Sequence, residues 1–204
     1  MVTTKESKTP GRPRKFDAEQ AIATAQKLFH SKGYDALSVA DLTKALGINP
    51  PSFYAAFGSK FGLYQRVLER YSRQGAIPFA EILRADRPVA QCLTAVLNEA
   101  ARRYVADPIA SGCMVVEGTH SDDREAREAA CEIHQAAETM IRDFIARQYP
   151  DQAERLTDFM VTVMAGLSAS ARAGYSEARL RETVHLCTDV LEQALPDAAG
   201  ADVE

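Results

Sequence analysis

Between Ser38 and Ser59 the chain packs three helix-start signals and two glycine stops into a stretch of 22 residues. Ser38 and Asp41 have the spacing of a capping box, and Val39, Leu42 and Leu46 then line one side of a short helix. Gly47 ends it. Asn49 caps the next helix, with Pro50 and Pro51 in its first turn, where a missing backbone N–H costs little. That helix runs through Phe53 and Tyr54 to about Phe57, where Gly58 punctuates. Ser59 then caps a longer helix through Leu63, Val67, Leu68 and Tyr71. Short helices joined by a glycine-containing turn make a helix-turn-helix.

The pattern on either side is also helical. Asp17 and Gln20 form another cap spacing ahead of Ile22, Ala25, Leu28 and Phe29, with Gly33 as the stop. Val89, Leu93, Val96, Leu97, Ala100 and Tyr104 form one stripe, stopped near Asp107-Pro108. Further stripes run from Ala126 to Phe144, from Leu156 to Leu167 and from Leu180 to Leu195. Strand-like alternation is absent, so the expected fold is all-α, with about nine helices.

Residues 37–63, LSVADLTKALGINPPSFYAAFGSKFGL, closely resemble the DNA-binding domain of TetR-family bacterial transcriptional regulators. The specific part is the glycine-terminated helix, polar cap, small hydroxyl residue, aromatic, tyrosine and phenylalanine, then Ser-Lys. The resemblance covers about residues 16–65. It implies a DNA-binding domain at 16–65 and a helical effector-binding and dimerisation body at 66–198; residues 1–15, basic and without hydrophobic periodicity, read as a flexible arm, and 199–204 as a frayed tail. The expected function is that of a homodimeric repressor, released from a palindromic double-stranded DNA operator by a small-molecule effector. No cofactor is expected.

Charge supports a polyanion-binding end. Residues 1–70 hold eleven Lys/Arg against six Asp/Glu, a balance of +5; residues 71–204 hold thirteen Arg against twenty-two Asp/Glu, a balance of −9. No apolar run approaches the roughly 18 residues of a membrane helix, and Met1 to Lys15 has no apolar signal core, so a cytoplasmic location without membrane contact is expected. Neither a nucleophile elbow, nor a phosphate-cradling glycine loop, nor a zinc-binding H-E-x-x-H is present, and an enzyme is not expected.

Candidate DNA contacts follow from the docking of a recognition helix, whose N-terminal residues face base edges. Asn49, Pro50, Pro51 and Ser52 sit at that end; Ser52 can bond a base or phosphate, and the prolines can pack on thymine methyls. Tyr54, Lys60 and Ser38 are assigned to backbone phosphates. Ala40 stands where related proteins often carry arginine, and Ala55 and Ala56 replace bulkier polar residues. Arg12 and Arg14 of the arm are placed at an adjacent minor groove, or in a solvated tail.

For the body, Tyr104, Cys113, Met114, Glu117, His120 and Met140 are the candidate effector contacts. Cys113, Glu117 and His120 share one face if the segment after Gly112 is helical, which leaves open a metal-sensing or redox-sensing repressor. A sequence-tolerant architectural DNA binder is a more distant alternative. By the resemblance, the last two helices form the dimer interface, through Phe159, Met160, Val163, Met164 and Leu167 on one and Leu180, Val184, Cys187 and Leu191 on the other.

Overall fold

A computed structural model describes residues 17–196, so the arm with Arg12 and Arg14 and the tail at 199–204 lie outside the described residues. All regular structure within them is helical: α1 (Ala18–Lys32), α2 (Val39–Leu46), α3 (Pro50–Phe57), α4 (Lys60–Gln74), α5 (Phe79–Ile82), α6 (Val89–Tyr104), α7 (Met114–Gly118), α8 (Arg124–Ala146), α9 (Ala153–Arg172) and α10 (Glu177–Ala194). Setting aside the single turn of α5, nine helices of five residues or more remain among the described residues. A short 3-10 turn, Pro150–Gln152, precedes α9.

The starts and stops are made by the residues that signal them. Asp17 accepts the Gln20 amide at 3.1 Å. Ser38 and Asp41 complete a reciprocal box, the Asp41 amide reaching Ser38 Oγ at 3.1 Å and the Ser38 amide reaching Asp41 Oδ2 at 3.0 Å. Gly47 turns the chain between α2 and α3 at φ 66°, a left-handed conformation that costs glycine little. Asn49 Oδ1 accepts the Ser52 amide at 2.9 Å, and Ser59 Oγ accepts the Gly62 amide at 2.9 Å.

Two cores form. The N-terminal one gathers Ile22, Ala25 and Phe29 of α1, Leu42 of α2, Phe53 and Phe57 of α3, and Leu63, Tyr64, Val67, Leu68 and Tyr71 of α4. It also takes Met114 and Val115 from α7 and Ala126 from α8, so α7 is seated partly in this core. The fit is close: a Cβ at Gly118 would lie 2.5 Å from the Tyr64 hydroxyl and 2.7 Å from the Ala130 side chain. The second core is built by α6, α8, α9 and α10, around Leu93, Val96, Leu97, Ile141, Ile145, Met160 and Leu191.

Polar links tie the two parts together. Asp35, in the turn before α2, accepts the Ser121 hydroxyl at 2.9 Å and the Asp122 amide at 3.0 Å from the turn before α8. His30 of α1 meets the Gly112 carbonyl at 3.0 Å through Nε2, and Arg172 of α9 donates to the His30 carbonyl at 3.1 Å. Residue 65 falls inside α4, a continuous helix that packs on both α1 and α8.

Candidate nucleic-acid interface and body cavity

The eight residues of α3 divide cleanly. Phe53 and Phe57, four apart, are buried at 0% and 5% exposure, while Pro50, Pro51, Ser52, Tyr54 and Ala55 face solvent. Four residues make just over one turn, so the two phenylalanines anchor one side, with Ala56 half-buried beside them, and the other five residues project. Tyr54 is 51% exposed, its ring edge-on to Phe53 with centroids 5.6 Å apart, and its hydroxyl has no hydrogen-bond partner among the described residues. Asn49 uses its carbonyl oxygen as the cap and leaves its amide NH2 free to donate. Ser52 keeps an unengaged hydroxyl beside it.

The remaining phosphate candidates are more committed. Ser38 spends its hydroxyl on the Asp41 carboxylate and amide. Lys60 is half-buried, with Nζ 3.8 Å above the centre of the Tyr34 ring. Burial pushes the Lys60 ammonium below its ordinary value, against the attraction of Asp35 and Asp123. Burial pushes Tyr34 up to about 12, so its hydroxyl stays protonated under the cation. Burial also raises Asp35, but hydrogen bonds from the Asp122 amide, the Ser121 hydroxyl and the Asp123 amide outweigh it and hold the carboxyl below its ordinary value. Lys44, exposed in the last turn of α2, is a further cation on this side of the turn. It escapes a pattern search because a lone lysine on a polar helix face carries no motif.

The body contains a cavity of about 650 Å³, counting its open mouth. Its wall is mostly apolar, with Ile77, Phe79, Val116, Ile133, Ile141 and Met164 contributing. Polar groups are few and grouped: Tyr71 of α4, Arg103 and Tyr104 of α6, Cys113 beside α7, and the pair His134 and Glu138 of α8, whose side chains approach to 3.3 Å. Tyr71 donates its hydroxyl to Cys113 Sγ at 3.6 Å. Burial keeps the Tyr71 and Tyr104 hydroxyls protonated well beyond the ordinary range, with the nearby Cys113 sulfur adding to the effect.

Of the six sequence candidates for effector contact, Tyr104 and Cys113 line this cavity. Met114 is turned into the N-terminal core at 2% exposure. Glu117 pairs with Arg172 at 3.3 Å, His120 bonds the Val116 carbonyl at 3.0 Å through Nδ1, and Met140 is 43% exposed; none of these three lines the cavity. The expected common face for Cys113, Glu117 and His120 does not form, because α7 stops at Gly118 and leaves His120 beyond its end. Among the described residues no three His, Cys, Asp or Glu side chains cluster as a metal site. Tyr71, His134 and Glu138 were missed by sequence: each sits in a long amphipathic helix, where the pattern cannot tell a cavity wall from a core or a solvated face.

The interface candidates fall into two groups by burial within the chain. Met160, Leu167, Leu180, Val184, Cys187 and Leu191 are buried inside the chain's own body, and Phe159, Val163 and Met164 are half-buried against it. The unpartnered apolar side chains of α10 are instead Leu186 and Val190, at 69% and 48% exposure. Beside α9's buried stripe runs an exposed row of small side chains, Thr162, Gly166 and Ala169, and a Cβ at Gly166 would meet nothing within 4 Å.

Residues 21–67 match the family model for bacterial regulatory proteins of the tetR family. Across 197 residues, covering 97% of this chain and all of the relative, the sequence is 55% identical to the HTH-type transcriptional repressor BdcR of Escherichia coli (strain K12). The HTH-type transcriptional repressor ComR of the same strain is 29% identical over 186 residues, 86% of this chain and 89% of that one. Among solved structures, a cysteine-substituted form of the TetR family transcriptional regulator CifR, complexed with 26-base-pair double-strand operator DNA, is similar with a TM-score of 0.79. It is 31% identical, covering 88% of this chain and 98% of that one. No helix among the described residues is long and apolar enough to cross a membrane.

Proposed function

The chain belongs to the TetR family of bacterial regulatory proteins, and from that premise we propose that it is a homodimeric repressor that leaves a palindromic operator when a small apolar effector occupies the body cavity. The observation that carries the DNA half is the division of α3, with Phe53 and Phe57 locked inside and Pro50, Pro51, Ser52 and Tyr54 projecting. A helix end with a free Asn49 amide and a free Ser52 hydroxyl offers donors to base edges, and the two prolines offer apolar contact to thymine methyls. Tyr54 reaches a phosphate. Lys60 and Lys44 supply positive charge near the backbone, and Ser38 positions α2 by capping it rather than by contact.

One such module makes too few contacts for tight specificity, so two must bind together at a fixed spacing. Leu186 and Val190 of α10, with the small-residue face of α9 at Gly166, are the surface we assign to the partner copy. Small residues let helices approach closely, and two exposed apolar side chains repeated by a twofold axis give a self-complementary contact.

The effector half rests on the cavity. It lies between α4, α6, α7, α8 and α9, and α4 leads straight back to the recognition helix through Ser59. A ligand that favours one spacing of the two DNA-binding ends over another shifts the population toward release, by no more than its difference in affinity for the two states.

Selection of bound fragments from genomic DNA, followed by footprinting on the enriched sequence, tests this reading. The expected result is a twofold-symmetric site with half-sites about one helical turn apart. Equal affinity for the enriched site and random duplex would leave only a sequence-tolerant DNA binder.

A further inference from the structure

The exposed side of α3 is short of hydrogen-bonding groups for a helix that meets base edges. Its sequence, PPSFYAAF, holds no charged side chain and no side-chain amide. Of the five residues that project, Pro50, Pro51 and Ala55 are apolar, and Ser52 and Tyr54 bring one hydroxyl each. The cap adds little. Asn49 Oδ1 is engaged with the Ser52 amide at 2.9 Å, so the pair of bonds by which an asparagine reads adenine is half spent. Positive charge is kept to the flanks, with Lys44 exposed in the last turn of α2 and Lys60 against the Tyr34 ring at the start of α4. Pro51 and Ala55, four residues apart, share a face of the helix, and Pro50 precedes them at its end.

We propose that α3 reads the C5 methyl groups of pyrimidines through Pro50, Pro51 and Ala55, so that operator affinity follows the methyl group rather than the base pair that carries it. This deepens the reading of α3 as the recognition helix and rests on it. In the major groove, guanine is recognised by the paired donors of Arg or Lys, adenine by the paired amide of Asn or Gln, and thymine by apolar contact with its methyl. Only the last is within the means of α3. Cytosine methylated at C5 presents the same methyl in the same groove as thymine, and the helix takes either.

The groups that tell these two pairs apart are the ones α3 lacks. A T·A pair shows the thymine O4 acceptor and the adenine N6 donor where a C·G pair shows the cytosine N4 donor and the guanine O6 acceptor. The Ser52 hydroxyl both donates and accepts, so it suits either pair. A cytosine in the half-site therefore becomes a tighter contact when it is methylated at C5, and the operator responds to that modification. Burying one methyl against apolar surface is worth about fourfold in affinity. A twofold-symmetric operator presents each position twice, which squares the effect to about fifteenfold.

The full chain is titrated by fluorescence anisotropy against the operator enriched from genomic DNA. Each thymine is exchanged in turn, in both half-sites, for uracil, which is thymine without its methyl, and each T·A pair for a C·G pair with or without the C5 methyl. At one or more positions the affinities are expected to group by methyl. Thymine and 5-methylcytosine should agree within about twofold, and uracil and cytosine should both bind about fifteenfold more weakly. The double variant Pro50→Ala and Pro51→Ala trims both rings on an exposed first turn. It is expected to keep its helix content by circular dichroism and to bring the thymine-to-uracil ratio below about fourfold. Tyr54→Phe, in contrast, should weaken every duplex and leave that ratio unchanged. Grouping by base pair, with uracil matching thymine and 5-methylcytosine matching cytosine, overturns the proposal. So does a thymine-to-uracil ratio that the double proline variant leaves as it was, or an enriched site in which no position responds to the methyl. These results leave the DNA-binding reading standing, provided the enriched site binds more tightly than random duplex; equal affinity for the two overturns that reading and the proposal with it.

Discussion

The α3 and α10 helices both carry apolar residues at helical spacing, and they use them differently. In α3, Phe53 and Phe57, with Ala56 beside them, join the N-terminal core, and Pro50, Pro51, Ser52, Tyr54 and Ala55 are left exposed. In α10 the strongest stripe, Leu180, Val184, Cys187 and Leu191, is consumed by the chain's own body, and the residues left over are Leu186 and Val190 on another face. The lesson is about competition for apolar surface. A short helix with one core to join shows its working face as whatever is polar or small. A long helix that carries two apolar faces gives the stronger one to the core that is always present and leaves the weaker one exposed.

Breaking that comparison at α10 has the largest expected effect. Val184→Glu places a carboxylate at a site of 1% exposure, with no cation from the core to pair it. Burying an unpaired charge costs several kcal/mol against a typical total of about 5–15 kcal/mol, so the body should unfold or melt far earlier by circular dichroism. Leu186→Glu, only two residues on, should melt close to the wild type and yet be monomeric by light scattering. Its operator affinity should fall toward the non-specific level, a loss of about a thousandfold or more. A folded, dimeric Leu186→Glu protein would move the interface off this face of α10.

At the DNA end the effects are smaller and separate by salt dependence. Tyr54→Phe removes a neutral hydroxyl and should weaken binding severalfold with the log–log salt slope unchanged. Lys60→Ala should lower that slope by about one, measured by fluorescence anisotropy across a salt series. An unchanged slope would assign the ammonium wholly to Tyr34 and Asp35.

The smallest effect concerns the joint between the two regions. Burial pushes the His30 imidazole down and the Arg172 guanidinium adds to this, against the pull of the Gly112 carbonyl. The folded value therefore lies below the unfolded one, and the unfolded chain binds more protons in between. Stability from this site is complete above the unfolded value of about 6.5 and declines as pH falls through it toward the folded value. Thermal melts of His30→Gln should lose less between pH 7 and pH 5 than those of the wild type; parallel losses would free His30 of this role.

Local signals made the N-terminal helices readable. Ser38, Asn49 and Ser59 are caps that act within three residues, Gly47 is a turn decided by its own φ, and Phe53 with Phe57 defines a face by spacing alone. The body helices were readable as helices for the same reason, through their stripes. Their roles were not. Whether Met114 turns into the N-terminal core or Tyr71 into a cavity depends on neighbours more than 40 residues away, and spacing along one helix carries no record of them.

The sequence by itself determined that the chain is helical, where most helices begin, and which end is built for a polyanion, because caps, periodicity and charge are local or additive properties. Only the tertiary structure decided which apolar face of α10 is exposed, that α7 ends before His120, and that Tyr71, Tyr104 and Cys113 line one cavity. Those outcomes follow from close packing, in which each side chain's place is set by the volumes of residues distant in the chain, and no single stretch of sequence contains that information.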